Sequence, residues 1–130
     1  MASHIGMFDS GLGGLSVWRA VRAQLPAWPI HYVADQGHCP YGPRPLAEIQ
    51  RFSQEITEFL LEDEPALIVV ACNTATGAAI QTLRQRWPHI PFVGMEPALK
   101  PAAEATHSGV IGVLATQGTF EGDHFQRTLA

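Results

Sequence analysis

The chain is predicted to be an α/β protein, a doubly wound, mostly parallel sheet with helices on both faces. Three observations point to this. Short apolar runs alternate with helical stripes, clusters of Gly, Pro and Asp separate them, and one run, Leu67-Ile68-Val69-Val70-Ala71, is apolar at every position. Such a run suits an interior strand covered on both faces, and the alternation implies right-handed crossovers. With 130 residues, 46% of them hydrophobic, the chain is long enough to bury a core.

Ile5-Gly6-Met7-Phe8 reads as the first strand, ending in the loop Asp9-Ser10-Gly11-Leu12-Gly13-Gly14. Leu15, Trp18, Val21 and Leu25 then recur at helical spacing until Pro26 and Pro29 stop the helix. His31-Tyr32-Val33-Ala34 extends a second strand over 30–34, closed by Asp35, and a Gly- and Pro-rich loop runs from Gln36 to Pro45. Leu46, Ile49, Phe52, Ile56, Phe59 and Leu60 form the longest helical stripe, which Glu62-Asp63-Glu64-Pro65 ends. The third strand, 67–71, leads into a helix that reaches Trp87. A fourth strand is expected at 92–95, then an alanine-rich segment broken at Pro101, then a fifth strand at 110–115 ending in Thr116-Gln117-Gly118-Thr119. The helix after Thr119 should still be running at Ala130, so the expectation is a first α/β domain over 1–97 and an incomplete second one over 98–130.

Two of the strand-to-helix loops carry chemistry. Cys72 stands where the third strand gives way to a helix, so its sulfur meets unpaired backbone N–H groups, which favour the thiolate and make it a candidate base or nucleophile. A buried cysteine packing as a small hydrophobe is the plainer alternative. Asp9 and Ser10 open a loop of small residues that exposes N–H donors to a carboxylate or phosphate, although ordinary helix capping explains them too. In an open parallel sheet such loops gather at the carboxyl ends of the strands, where ligands bind. The glycines do not match G-x-G-x-x-G, and Asp35 is a weak acidic partner for a dinucleotide.

Composition removes other classes. The net charge is −4 with no basic stripe, so nucleic acid is not an expected partner. No apolar run is long enough to span a bilayer, and Met1-Ala2-Ser3-His4 is too short and polar for a signal peptide. Two cysteines, Cys39 and Cys72, make no disulfide framework and fit free thiols in a reducing cytoplasm. His4, His31, His38 and Cys39 match no common zinc spacing, so no metal is assigned. A hydrolase using Cys72 would need a nearby His, yet His89 and His107 fall in turns between elements.

The motifs Phe8-Asp9-Ser10-Gly11-Leu12-Gly13-Gly14-Leu15-Ser16-Val17, Asp35 followed by Pro40-Tyr41-Gly42, and Ala71-Cys72-Asn73-Thr74-Ala75, in that order and through Thr116 and Thr119, resemble the glutamate racemase family. The likeness covers nearly the whole chain, with the wider aspartate/glutamate racemases as the close rival. It implies cofactor-independent inversion of glutamate at Cα, with one base on each face, in the service of peptidoglycan synthesis. Cys72 would be one of the two cysteines, with Asp9 assisting its proton transfer. Ser10, Asn73 and Thr74 would hold the substrate's carboxylate and ammonium; Pro40, Tyr41 and Gly42 match a substrate-contacting loop, and Thr116 and Thr119 a threonine pair beside it. The resemblance leaves room for a homodimer. Family members are about twice as long, and their second half carries the other cysteine in a Gly-Cys-Thr-His-type segment; that segment is not in this sequence, and Cys39 is no obvious substitute. Efficient racemisation is therefore not expected from these 130 residues alone. A non-catalytic module binding small acids is the competing reading.

Overall fold

The computed structural model describes residues 3–130, so Met1 and Ala2 of the N-terminal tetrapeptide lie outside the described residues. Its elements are β1 Ile5–Asp9, α1 Leu15–Gln24, β2 Ile30–Ala34, α2 Leu46–Leu61, β3 Leu67–Val70, α3 Asn73–Arg86, β4 Phe92–Val93, α4 Leu99–Ala105, α5 Gln117–Glu121 and α6 Asp123–Leu129. The four strands form one parallel sheet in the order β2-β1-β3-β4. Met7 stands beside Tyr32 on one side and Val69 on the other, which brings the carboxyl ends of β1, β2 and β3 level.

The period-2 alternation of the strands divides the core between the two faces. Ile5, Met7, Val69 and Ala71 pack against Val17, Trp18 and Val21 of α1. Phe8, Ile68 and Val70 pack with Ile49, Phe52 and Leu60 of α2 and Ala75, Ala79 and Leu83 of α3. The expected helices on both faces are thus present, and Ile68, Val69 and Val70 are buried as an interior strand requires. Burying each large side chain of this kind contributes about 1.5–3 kcal/mol. The stripe of α2 is narrower than expected: Leu46 and Phe59 are exposed, while Ser53 and Thr57 are buried. Those two hydroxyls donate to the carbonyls of Ile49 and Ser53 at 2.8 and 2.7 Å, so neither is left unpaired.

Three expectations are corrected. The run 110–115 is not a strand: Val110 and Leu114 are exposed, and the Val110 carbonyl accepts from Thr106 Oγ1 at 2.9 Å. An apolar run becomes a strand only where a neighbour offers a ladder, and β4, at that edge of the sheet, has just two residues. The fourth strand is short because the Met95 N–H donates to Thr76 Oγ1 at 2.9 Å, which takes the chain off the sheet before residue 95. Pro101 does not break the alanine-rich segment; it is the third residue of α4, in the first turn, where a missing N–H costs no helical bond.

Candidate active site

Asp9 is the last residue of β1, and its carboxylate folds back over the loop that follows. Oδ2 accepts from the Gly14 N–H at 2.9 Å and the Gly11 N–H at 3.3 Å. Gly14 precedes α1, so the carboxylate sits at the positive end of that helix. A side chain at Gly14 has no room: its Cβ would lie 2.7 Å from both Asp9 Cβ and Tyr32 Oη. Tyr32 closes the other side of the loop by donating to the Gly11 carbonyl at 3.2 Å. Burial, then the charges of Asp9 and Cys72, push its phenol up to about 12.

Cys72 is the N-cap of α3, in extended conformation, and its sulfur accepts from the Ala75 N–H at 3.3 Å. The thiol donates to Ser10 Oγ at 3.7 Å. This thiol is 7% exposed, and burial pushes it above its ordinary range. The Ala75 N–H and Ser10 pull the other way, while the Asp9 carboxylate adds to the rise. The expectation that the helix N-terminus would favour the thiolate is therefore reversed: loss of hydration outweighs the local donors.

Asp9, Cys72, Asn73, Thr74, Thr116 and Thr119 line one cleft of about 450 Å³ at the carboxyl ends of the strands, with Gly13, Gly14, Met95, Pro97 and Leu114 also on its walls. Thr74, Thr116 and Thr119 form a triangle of hydroxyls, with Oγ1 separations of 2.6, 3.3 and 3.1 Å. Thr116 also caps α5 through the Thr119 N–H, so capping and site-lining coincide. Four expected residues are not on the walls. Ser10 reaches the site through the Cys72 thiol, and Gly42 through Thr116, whose Cβ would be 3.1 Å from a Cβ at Gly42. Tyr41 is buried, its hydroxyl donating to Asp35 at 2.5 Å, and Pro40, which follows a cis peptide, belongs to the same loop. Burial and the Asp35 bond raise the Tyr41 phenol. Asp35 also accepts from His38 Nδ1 at 2.9 Å, so protein groups occupy this carboxylate.

Among the described residues no histidine lines the cleft, and His89 and His107 fall between elements as expected. Tyr32 escaped the sequence reading although Ile30 and Tyr32 alternate toward α1, a pattern that puts an aromatic hydroxyl near the carboxyl end of β2.

A thiol and a carboxylate at the starts of two helices thus stand beside three hydroxyls at the mouth of a parallel sheet, the place where open α/β sheets bind their ligands. The family model described as Asp/Glu/Hydantoin racemase matches residues 5–130, and the chain belongs to that family. It is 56% identical over 126 residues to the glutamate racemase of Herpetosiphon aurantiacus, with 97% of this chain and 49% of that protein covered. It is 52% identical over 125 residues to that of Pseudomonas paraeruginosa, covering 96% and 47%. The crystal structure of Escherichia coli glutamate racemase in complex with L-glutamate and the activator UDP-MurNAc-Ala superposes with a TM-score of 0.89 at 38% identity, covering 98% of this chain and 48% of that one. The chain spans about half the length of the curated relatives it matches.

Proposed function

We propose that this chain supplies one face of a glutamate racemase active site, in which Cys72 passes a proton to and from Cα of glutamate without a cofactor. The observation that carries the reading is the Cys72 thiol at the start of α3, held between Ser10 and the Ala75 N–H in a cleft shared with Asp9. Family membership and the likeness to glutamate racemases support the substrate class. Inversion needs a base on each face of Cα. The raised thiol makes Cys72 the resting proton donor, so the opposing group takes the first proton when glutamate presents its other face. Cys39 does not serve as that group here: it is exposed, its sulfur beside Gly11, and it is not on the cleft walls. In this reading the second base belongs to the part of the relatives' length that this chain does not span, with 98–130 beginning the unit that carries it.

In this reading Asp9 assists proton movement at Cys72, Asn73 and Thr74 with the α3 N-terminus hold the α-carboxylate, and Thr116 and Thr119 orient the substrate's remaining polar groups. The reaction supplies D-glutamate for peptidoglycan in the cytoplasm, where two free thiols stay reduced; among the described residues no helix is long and apolar enough to cross a membrane. The test is racemisation in deuterated water with Cys72 and its opposing base both present. Each glutamate enantiomer should yield product bearing solvent deuterium at Cα, and Cys72→Ser should abolish turnover, because a serine hydroxyl is far too weak an acid to alternate as base and acid. Racemisation that survives Cys72→Ser would remove Cys72 from the mechanism.

A further inference from the structure

A second cluster of ligand-type side chains lies at the amino ends of the strands, across the sheet from Cys72. His4 immediately precedes β1, His31 is the second residue of β2, and Asp63 is in the turn between α2 and β3. Backbone bonds hold the three segments together: the Ile5 N–H donates to the Pro29 carbonyl and the Ala66 N–H to the His4 carbonyl, both at 2.9 Å. One ligand atom from each of His4, His31 and Asp63 lies within 4.8 Å of those of the other two. His31 Nδ1 is 2.8 Å from Asp63 Oδ2. His4 Nε2 is buried and has no hydrogen-bond partner among the described residues, a costly arrangement for an imidazole unless something binds it. The cluster opens onto a cleft of about 720 Å³ that Glu64 also lines.

We infer that His4, His31 and Asp63 form a binding site for a divalent transition-metal cation of the zinc class. Two imidazoles and a carboxylate are the donor set such ions prefer, whereas Ca²⁺ and Mg²⁺ ask for oxygen alone. In a tetrahedral site with bonds of ~2.0–2.1 Å the ligand atoms stand ~3.4 Å apart, so small side-chain rotations bring these three to coordinating positions. The cleft leaves the fourth position open to water. Coordination through His31 Nδ1 places that ring's proton on Nε2 and replaces its bond to Asp63. The ion would clamp the starts of β1, β2 and β3 from the side opposite the proposed active site, and the inference stands independently of the racemase reading.

The test titrates the 130-residue chain with Zn²⁺ by calorimetry and with Co²⁺ by visible absorption, alongside thermal unfolding. One equivalent should bind, the Co²⁺ spectrum should show tetrahedral d–d bands without a thiolate charge-transfer band, and the midpoint of unfolding should rise. His31→Gln, Asp63→Asn and His4→Gln should each weaken binding about tenfold or more. Asp63 is well exposed, so Asp63→Asn should keep the fold and decide the matter should His4→Gln fail to fold. Absence of saturable binding, equal affinity in Asp63→Asn, or a thiolate band that Cys39→Ser removes would each overturn the inference.

Discussion

The loops after β1 and β3 are built alike and do different work. Their strands are hydrogen-bonded neighbours in register, so Asp9 and Cys72 emerge side by side, each placing a side-chain acceptor at the start of a helix. Asp9 offers a carboxylate, which takes two backbone N–H groups in charge-assisted bonds and becomes part of the turn. Cys72 offers sulfur, a weak acceptor that takes the Ala75 N–H at 3.3 Å. The strong acceptor is bonded through Oδ2 into the backbone of its own turn, while the weak one keeps its proton and donates it to Ser10. One strand-turn-helix design thus carries a backbone-bound carboxylate in one copy and a buried thiol in the other, and acceptor strength separates them.

The largest effect should come from crowding the place where the loops meet. Gly14→Ala puts a methyl 2.7 Å from Asp9 Cβ and Tyr32 Oη and 3.1 Å from Ala71 Cβ. Backbone shifts of that kind cost about 1–3 kcal/mol, and thermal unfolding should show a midpoint several degrees lower. An unchanged midpoint would mean that the loops are not closed against each other. Asp9→Ala should come next, at about 1–2 kcal/mol, because two N–H groups lose their acceptor; Asp9→Asn, which keeps an oxygen, should lose less. Cys72→Ser should change stability by less than about 1 kcal/mol, since serine is itself a favoured N-cap, while alkylation at this position disappears. A loss as large as that of Asp9→Ala would erase the distinction between the two loops.

Most of this arrangement was legible in the sequence, for identifiable reasons. The first three strands read correctly because each is an apolar run between turn residues, and β3 in particular is apolar throughout. Asp9, Cys72, Asn73, Thr74, Thr116 and Thr119 converge as expected because strand ends of a parallel sheet face one way. What failed depended on partners a linear pattern does not contain. The run 110–115 has the composition of a strand and lacks a ladder. Tyr41 is placed beside the substrate by the family resemblance alone, and its hydroxyl donates to Asp35 in the interior. The cluster of His4, His31 and Asp63 escaped because its members come from three segments with no ligand spacing between them.

The smallest effect, and the one that bears most directly on the comparison, is the pH dependence of Cys72. Its folded-state pKa is raised, chiefly by burial, so between the ordinary thiol range and that higher value the folded protein keeps a proton the unfolded chain has lost. The contribution to stability is complete below the unfolded pKa, ~8.5 for a free thiol, and is lost as pH rises through the folded value. Tyr32 acts in the same direction at higher pH, between its ordinary 10.0 and about 12. Denaturant unfolding across the alkaline range should therefore show stability falling with pH in two stages, Cys72→Ser removing the earlier and Tyr32→Phe reducing the later, to which the raised Tyr41 phenol also contributes. The rate of Cys72 alkylation should rise with pH along a curve whose midpoint lies above that of a free thiol. A midpoint at or below the free thiol's would mean that the Ala75 N–H and Ser10 outweigh burial, and Cys72 would then hold a resting thiolate bound to its helix much as Asp9 is bound to α1.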